Sequence, residues 1–272
     1  MKTTAMNPHC DCLPEYRELG YVPFDKEAES VSKTLEYAYD DYCIAQAAKV
    51  LGKTEDYEYF MKRSKHYLNL IDPETKYMRG RDSKGNWRTP FSPIAYQGPG
   101  SVHGWGDITE GFTMQYTWTV PHDFEGYMEV AGKDLLLKRL DDMFTTEMDK
   151  DIPGAHDIQG RIGAYWHGNE PCHHVTYLYN WLGEPWKCQK WVRTIADSFY
   201  GNEPGSLSGN DDCGQMSAWH IFNCMGFLMQ VEVESVNRII HEAKKPVMTI
   251  KSMAAGRVSP FVGLNFSWNT IR

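Results

Sequence analysis

His167-Gly168-Asn169-Glu170-Pro171-Cys172-His173-His174-Val175-Thr176-Tyr177-Leu178-Tyr179-Asn180-Trp181-Leu182-Gly183-Glu184-Pro185 contains the unit whose repetition decides the fold. A Gly-rich loop over about 151–168 leads into it. Asn169 and Glu170 then stand where a helix opens. Val175, Leu178, Tyr179 and Leu182 follow the i, i+3, i+4, i+7 spacing of one apolar helix face. Gly183 supplies a short turn, and 184–200 reads as a second helix folding back on the first. The unit is a long polar loop, an acidic helix start, a helix, a short turn and a partner helix.

The same order recurs along the chain. Val31, Leu35, Ala38, Tyr42 and Ala45 mark a helix that Gly52 ends, and Tyr57, Phe60, Met61 and Ser64 mark its partner, stopped by Asp72-Pro73. A loop rich in Gly, Pro and Arg covers about 77–106, and a helix is expected to open near Glu110. Pro121 breaks that pattern, and Leu136, Leu140, Met143 and Phe144 mark another helix. Loop 201–211 precedes a stripe of Met216, Trp219, Phe222 and Met225. Past residue 228 the pattern fades. Glu232–Lys245 reads as polar and helical, and Val247–Ile250 and Val262–Trp268 read as short strands.

In consecutive antiparallel hairpins every second helix points the same way. The helices opening near 110, 170 and 212 are such alternate helices, each behind a long loop. If the hairpins pack around a ring, those three starts lie on one face and their loops build one cleft. The expected fold is therefore all-α, an α/α toroid of helical hairpins with an irregular C-terminal tail. No βαβ alternation is present.

Composition bounds the function. The chain has 272 residues, 42% hydrophobic and 24% charged, which is the balance of a globular protein able to bury a core. A net charge of -8 argues against nucleic acid as a partner. No apolar run approaches the roughly 20 residues that span a bilayer, and the first residues lack the apolar stretch of a signal peptide. Seven scattered cysteines do not form a disulfide framework, and His9-Cys10-Asp11-Cys12 lacks the second Cys/His pair of a zinc site. The nine Trp and sixteen Tyr suit both a core and a cleft that stacks sugars.

Acidic groups mark all three helix starts: Thr109-Glu110-Gly111, Asn169-Glu170, and Gly209-Asn210-Asp211-Asp212-Cys213-Gly214-Gln215. Acids at a helix start can simply cap it. Separate carboxylates facing one cleft are also the equipment of glycoside hydrolysis, where one protonates the leaving oxygen and another activates water or attacks. Cys213 as a nucleophile has no His placed beside it by spacing. Asn169 and Glu170 offer hard oxygen donors, which suit calcium better than zinc. His173 and His174 are adjacent and cannot chelate as an i, i+4 pair, so one is expected to pack and the other to hydrogen-bond. A helix start suits a base such as Asp212, whereas an acid such as Glu110 needs burial or neighbouring carboxylates to stay protonated.

The motifs resemble glycoside hydrolase family 92. They are Thr109-Glu110-Gly111 with Gln115-Tyr116-Thr117-Trp118 and Val120-Pro121-His122-Asp123; His167-Gly168-Asn169-Glu170-Pro171 with His173-His174; Leu207 through Trp219; and Ser32 through Asp41. Where the family pattern reads Glu-Gly-Asn-Ala-Trp-Gln-Tyr, this chain has Glu110-Gly111-Phe112-Thr113-Met114-Gln115-Tyr116. The resemblance runs from about Leu13 to Phe227 and implies a calcium-dependent, inverting exo-α-mannosidase acting on mannose-containing glycans. It implies Glu110 as general acid and Asp212 with Asp211 as the base pair. Asn169 and Glu170 would belong to the Ca2+ and mannose site, with Asp211 as a further metal ligand. His103, Trp166 and His167 would line the cleft, and Arg79 and Arg81 are weaker candidates.

The same resemblance implies part of an (α/α)6 barrel, because family members are longer and carry a β-sandwich and further toroid before the equivalent of Leu13. The expected division is an extension over 1–12, a partial toroid over 13–228 and a divergent tail over 229–272, with a partial gene or altered reading frame as its origin. A full-length parent would be secreted or periplasmic. Exposed toroid faces would favour self-association, and a truncated, inactive toroid with weak sugar binding is the alternative.

Overall fold

The computed structural model describes residues 1–9, 11–97, 106–148, 159–203 and 205–224. The chain divides into two compact units, Met1–Met225 and Gly226–Arg272. The second unit, and with it the helix and strands expected in the tail, lies outside the described residues.

The elements in order are α1 (Lys2–Ala5), α2 (Leu13–Leu19), α3 (Ser30–Val50), α4 (Thr54–Arg63), α5 (Thr113–Tyr116), α6 (Phe124–Ala131), α7 (Lys133–Thr145), β1 (Arg161–Ile162), β2 (Tyr165–Trp166), α8 (Leu178–Trp181), α9 (Pro185–Phe199) and α10 (Gln215–Cys224). Single 3-10 turns occupy His66–Leu70, Glu170–Cys172 and Val175–Tyr177. No described helix is long and apolar enough to cross a membrane.

The first hairpin follows the sequence pattern. Val31, Leu35, Ala38 and Ala45 of α3 and Phe60 of α4 are buried, and the two helices pack on each other. Asp41 and Arg63 join the helices inside this interface. Arg63 Nε and Nη2 donate to the Asp41 carboxylate at 2.8 and 2.7 Å, and Tyr16 Oη donates to it at 3.0 Å. Burial pushes the Asp41 carboxyl up to about 6, while Arg63 and Tyr16 pull it down, so it is ionised at neutral pH.

Two later hairpins differ from the sequence expectation. Pro121 is followed by α6, and Gly132 at φ 89 divides it from α7. The helix expected from Val175 to Leu182 is broken into two 3-10 turns and the four-residue α8. Pro171, the β-branched pair Val175-Thr176 and the aromatic run after it weaken a continuous helix here. Its partner α9 spans Pro185–Phe199, close to the expected range.

A small ribbon that the sequence did not announce lies in the second long loop. β1 and β2 pair antiparallel, Arg161 with Trp166 and Ile162 with Tyr165. Gly163 turns the ribbon at φ 59, and a Cβ there would lie 2.7 Å from Met143 O. Only glycine lets the ribbon rest on the end of α7, where Ala164 N donates to Met143 O at 2.7 Å. Phe144 then stacks on Trp191 of α9 at 4.3 Å and on Tyr165 at 5.0 Å. This aromatic layer fixes the floor on which the acidic segments sit.

Candidate active site

The loop carrying Glu110 is docked on the start of α3. Val31 N and Ser32 N donate to Asp107 O at 2.9 and 3.3 Å, and Thr109 N donates to Ser32 Oγ at 3.0 Å. The Asp107 side chain accepts from Arg88 Nη2 at 2.7 Å and Ser30 Oγ at 3.2 Å, closing the first long loop over the same spot. Burial raises the Asp107 carboxyl, and Arg88 opposes that shift. Arg79 and Arg81 are spent on loop structure. Arg79 pairs with Asp72 at 3.0 Å, and Arg81 bonds the carbonyls of Gly85 and Asn69.

Glu110 is exposed and precedes its helix, which opens at Thr113 with Phe112 as its cap position. It is therefore not a helix-capping acid. Gly111 at φ 149 holds the turn, and a Cβ there would collide with the Gln115 amide. Phe112, where the family pattern has a polar residue, packs edge-on against Trp166 at 4.8 Å.

The second segment meets the first directly. Asn169 is buried, and its Nδ2 donates to Glu110 O at 2.6 Å. Gln115 Nε2 donates to Cys172 Sγ at 2.9 Å. Glu170 opens the 3-10 turn beside them. Burial raises its carboxyl; the neighbouring Asp212 carboxylate adds to the rise by charge and by a hydrogen bond, and Glu110 adds by charge. Its Oε1 is buried and has no hydrogen-bond partner among the described residues. Glu170 thus sits where the charges of Glu110 and Asp212 converge.

The third segment splits its two aspartates. Asp211 Oδ1 accepts from Ser217 N and Ser217 Oγ, both at 3.0 Å, and so caps the first turn of α10. Asp212 makes no such cap. It and Cys213 have φ of 38 and 58, a left-handed conformation that is costly for non-glycine residues. The turn is seated by glycine on glycine: a Cβ on Gly209 would lie 2.6 Å from Gly168 O. Cys213 is exposed.

The histidines and Trp166 lie beneath the acids. His167 is 0% exposed, and both ring nitrogens bond tyrosine hydroxyls. Burial pushes its imidazole down to about 2, with His173 and His220 adding to the shift. The expectation of direct sugar contact is corrected for His167, because no polar ring atom is left to offer. His173 and His174 both hydrogen-bond backbone carbonyls, those of His167 at 3.0 Å and Trp118 at 2.7 Å, rather than dividing the tasks of packing and bonding. Trp166 is fully buried between Phe112 and Tyr96 and supports the floor, its Nε1 without a partner among the described residues. His103 lies outside the described residues.

Sequence spacing missed Tyr165, Tyr200, Gln215 and Ser217, which tie these segments together. Tyr200 and Gln215 pair across distant stretches, and the roles of Tyr165 and Ser217 depend on how their own turns fold.

The profile of the glycosyl hydrolase family 92 catalytic domain matches residues 1–249. The chain belongs to this family. The matched span is wider than the Leu13–Phe227 expected from the motifs and takes in the beginning of the tail. Among solved structures, the chain is similar to the GH92 alpha-mannosidase BT3965 of Bacteroides thetaiotaomicron in complex with mannoimidazole, with 80% identity and a TM-score of 0.80 over 82% of this chain and 29% of that one. It is similar to the GH92 inverting mannosidase BT2199 of Bacteroides thetaiotaomicron VPI-5482, with 35% identity and a TM-score of 0.68 over 82% of this chain and 31% of that one. A protein described as an uncharacterized secreted glycosidase of Arthroderma benhamiae is 26% identical over 79% of this chain and 29% of its own length. The chain thus spans about 30% of the length of these relatives. Its helix-rich fold matches the α/α-toroid catalytic domain of the family over that part.

The family implies calcium, and the donors can be weighed against it. Among the described residues no group of three or more His, Cys, Asp and Glu side chains is gathered to hold a metal. Glu170 nevertheless presents a buried, unpartnered carboxylate oxygen beside like charges, and such a site needs a proton or a cation. A buried carboxylate oxygen of this kind suits a hard cation, which takes oxygen donors.

Proposed function

We propose that this chain carries the acid, base and sugar-contacting segments of an inverting exo-α-mannosidase acting on mannose-containing glycans. The observation that supports it best is the convergence of Glu110 and Asp212 on Glu170, from three segments far apart in sequence. Glu110, exposed at its turn, donates the proton to the leaving glycosidic oxygen. Asp212 takes a proton from the attacking water, and Asp211 fixes its turn by capping α10. Asn169 orients the Glu110 backbone and, with Glu170, contacts sugar hydroxyls. His103 belongs to the same cleft in this reading. Trp166 and His167 support it from below.

Calcium, when bound at Glu170 and Asn169, would supply positive charge to sugar hydroxyls. Asp211, with one oxygen committed to Ser217, is a weaker ligand than the family pattern implied. Residues 13–228 form the catalytic part in this reading, flanked by an extension over 1–12 and a tail over 229–272. The parent protein is proposed to be exported, like the relative described as secreted. Self-association through exposed toroid faces belongs to the same proposal.

The test is hydrolysis of α-linked mannobiose by the chain, with calcium and with chelator. Glu110→Gln and Asp212→Asn should each cost a factor of about 100 or more in kcat. Glu170→Gln should weaken calcium binding in a calorimetric titration by about tenfold. Turnover indifferent to the chelator and to all of these substitutions would exclude the mechanism.

A further inference from the structure

His167 has no polar atom to offer a sugar, yet it sits at the junction of the two segments that carry the acids. Its Nδ1 lies 2.9 Å from Tyr165 Oη and its Nε2 lies 2.7 Å from Tyr200 Oη. Tyr200 Oη also lies 3.0 Å from Met216 O. A carbonyl cannot donate, so the one hydroxyl proton of Tyr200 goes to Met216 O. Tyr200 Oη must then accept from His167, which places the imidazole proton on Nε2. Nδ1 is left as an acceptor, and Tyr165 donates to it. The chain therefore has one direction: Tyr165 to His167, His167 to Tyr200, Tyr200 to Met216 O.

Each end of this chain holds one side of the candidate site. Met216 follows the Asp211–Gln215 turn at the start of α10, whose Ser217 amide and hydroxyl hold Asp211. His167 O accepts from His173 Nε2 at 3.0 Å. His173 in turn meets Gln215 Nε2 at 3.3 Å and accepts from Trp219 Nε1 through its carbonyl at 3.0 Å. The ring of His167 packs on Trp219 at 4.4 Å and on His173 at 4.8 Å. Gly168, the next residue, takes Gly209 against its carbonyl. The Asn169-Glu170 segment and the Asp211-Asp212 turn are thus both referenced to one imidazole.

We propose that His167, held in its Nε2–H form between Tyr165 and Tyr200, is a positioning residue that sets the Asp211-Asp212 turn against Glu170. The catalytic consequence rests on Asp212 being the base proposed above. The positional claim does not. Tyr200→Phe removes one hydroxyl and cuts the link to Met216 O. Tyr165→Phe removes the donor that keeps Nδ1 an acceptor.

Nitrogen NMR of the full 272-residue chain with labelled histidine should find His167 as the Nε2–H tautomer. In Tyr200→Phe the amides of Asp211, Asp212 and Ser217 should shift, while those of the α3–α4 hairpin stay in place. Tyr179→Phe, which loses a bond to Asp141 elsewhere in the same core, should leave the 211–217 amides unmoved. On an α-mannoside, Tyr200→Phe should lower kcat about tenfold or more with KM within about twofold, and Tyr179→Phe should not. An Nδ1–H tautomer overturns the proposal in the wild-type chain, whether or not the variants fold. Unmoved 211–217 amides in both Tyr200→Phe and Tyr165→Phe overturn it as well. If the wild-type chain turns over and Tyr200→Phe loses no more than Tyr179→Phe, the positioning role fails. If the wild-type chain is inactive while the amides move as stated, the mannosidase reading fails and the positioning stands.

Discussion

Single residues decide how closely the acidic segments approach. Gly209 has φ 73, and its Cα faces Gly168 O. Gly209→Ala would meet two penalties, the left-handed backbone and the steric conflict at 2.6 Å. It should lower unfolding free energy by about 1–3 kcal/mol in urea melts. Gly205, with open space around its Cα, is the control: Gly205→Ala should change stability by no more than about 0.5 kcal/mol. Equal losses in the two variants would mean that the glycine contact is not what seats the turn. The acids themselves were legible in the sequence because their motifs are local: Glu110, Asn169, Glu170, Asp211 and Asp212 are each flanked by glycine or proline within a few residues. The division of labour between Asp211 and Asp212 was not. It depends on Ser217 turning its amide and hydroxyl toward one aspartate. His167 was misread for a related reason. A histidine beside glycine in a long loop looks accessible, and the arrival of Tyr200 and Trp219 from other segments buries it.

At the scale of elements, legibility followed length. The longer helices α3, α4 and α9 lie close to where periodicity put them. The short pieces α5, α6 and α8 and the β1–β2 ribbon hold too few residues to show a period, and tertiary packing shapes them. The α3–α4 hairpin allows a direct test of what joins its helices. Arg63 is buried against Asp41 and the rings of Tyr16, Tyr59 and Phe60. Asp41→Asn would leave the guanidinium buried without its counter-charge, at a cost of about 3–5 kcal/mol. Pairing it with Arg63→Met removes the orphaned charge and keeps the bulk against the rings. The double variant should recover more than half of the loss in urea unfolding. A double variant as unstable as Asp41→Asn alone would show that the guanidinium's own contacts with the rings, and not an orphaned charge, account for the loss.

For the whole molecule, the order of long loops and short turns suggested acids meeting from separate segments, although the hairpin count behind it is broken by the four-residue α5, by α6 and by the 3-10 turns after Glu170. It could not anticipate how the stability of the assembly responds to pH, which depends on which side chains the packing encloses. His66 lies in a 3-10 turn, edge-on to Tyr16 at 5.0 Å. Burial pushes its imidazole down to about 4, and the charges of Arg63 and Lys62 push the same way. The unfolded chain binds this proton near pH 6.5, so the neutral ring contributes its full stability above that pH. As pH falls from 6.5 toward 4, the unfolded state takes up a proton that the fold refuses, and stability is lost. Full burial would set the loss at about 1.4 kcal/mol per pH unit. His66 is only partly buried, so screening reduces the total to about 1–2 kcal/mol. Other groups titrate in the same window, and His66→Phe, which keeps a ring against Tyr16, isolates this contribution. Unfolding free energies measured from pH 7.5 to 4 should show the variant gaining on wild type by about 1–2 kcal/mol below pH 6.5, with a constant offset above it. Parallel curves across that window would mean that His66 is protonated in the fold as readily as in the open chain.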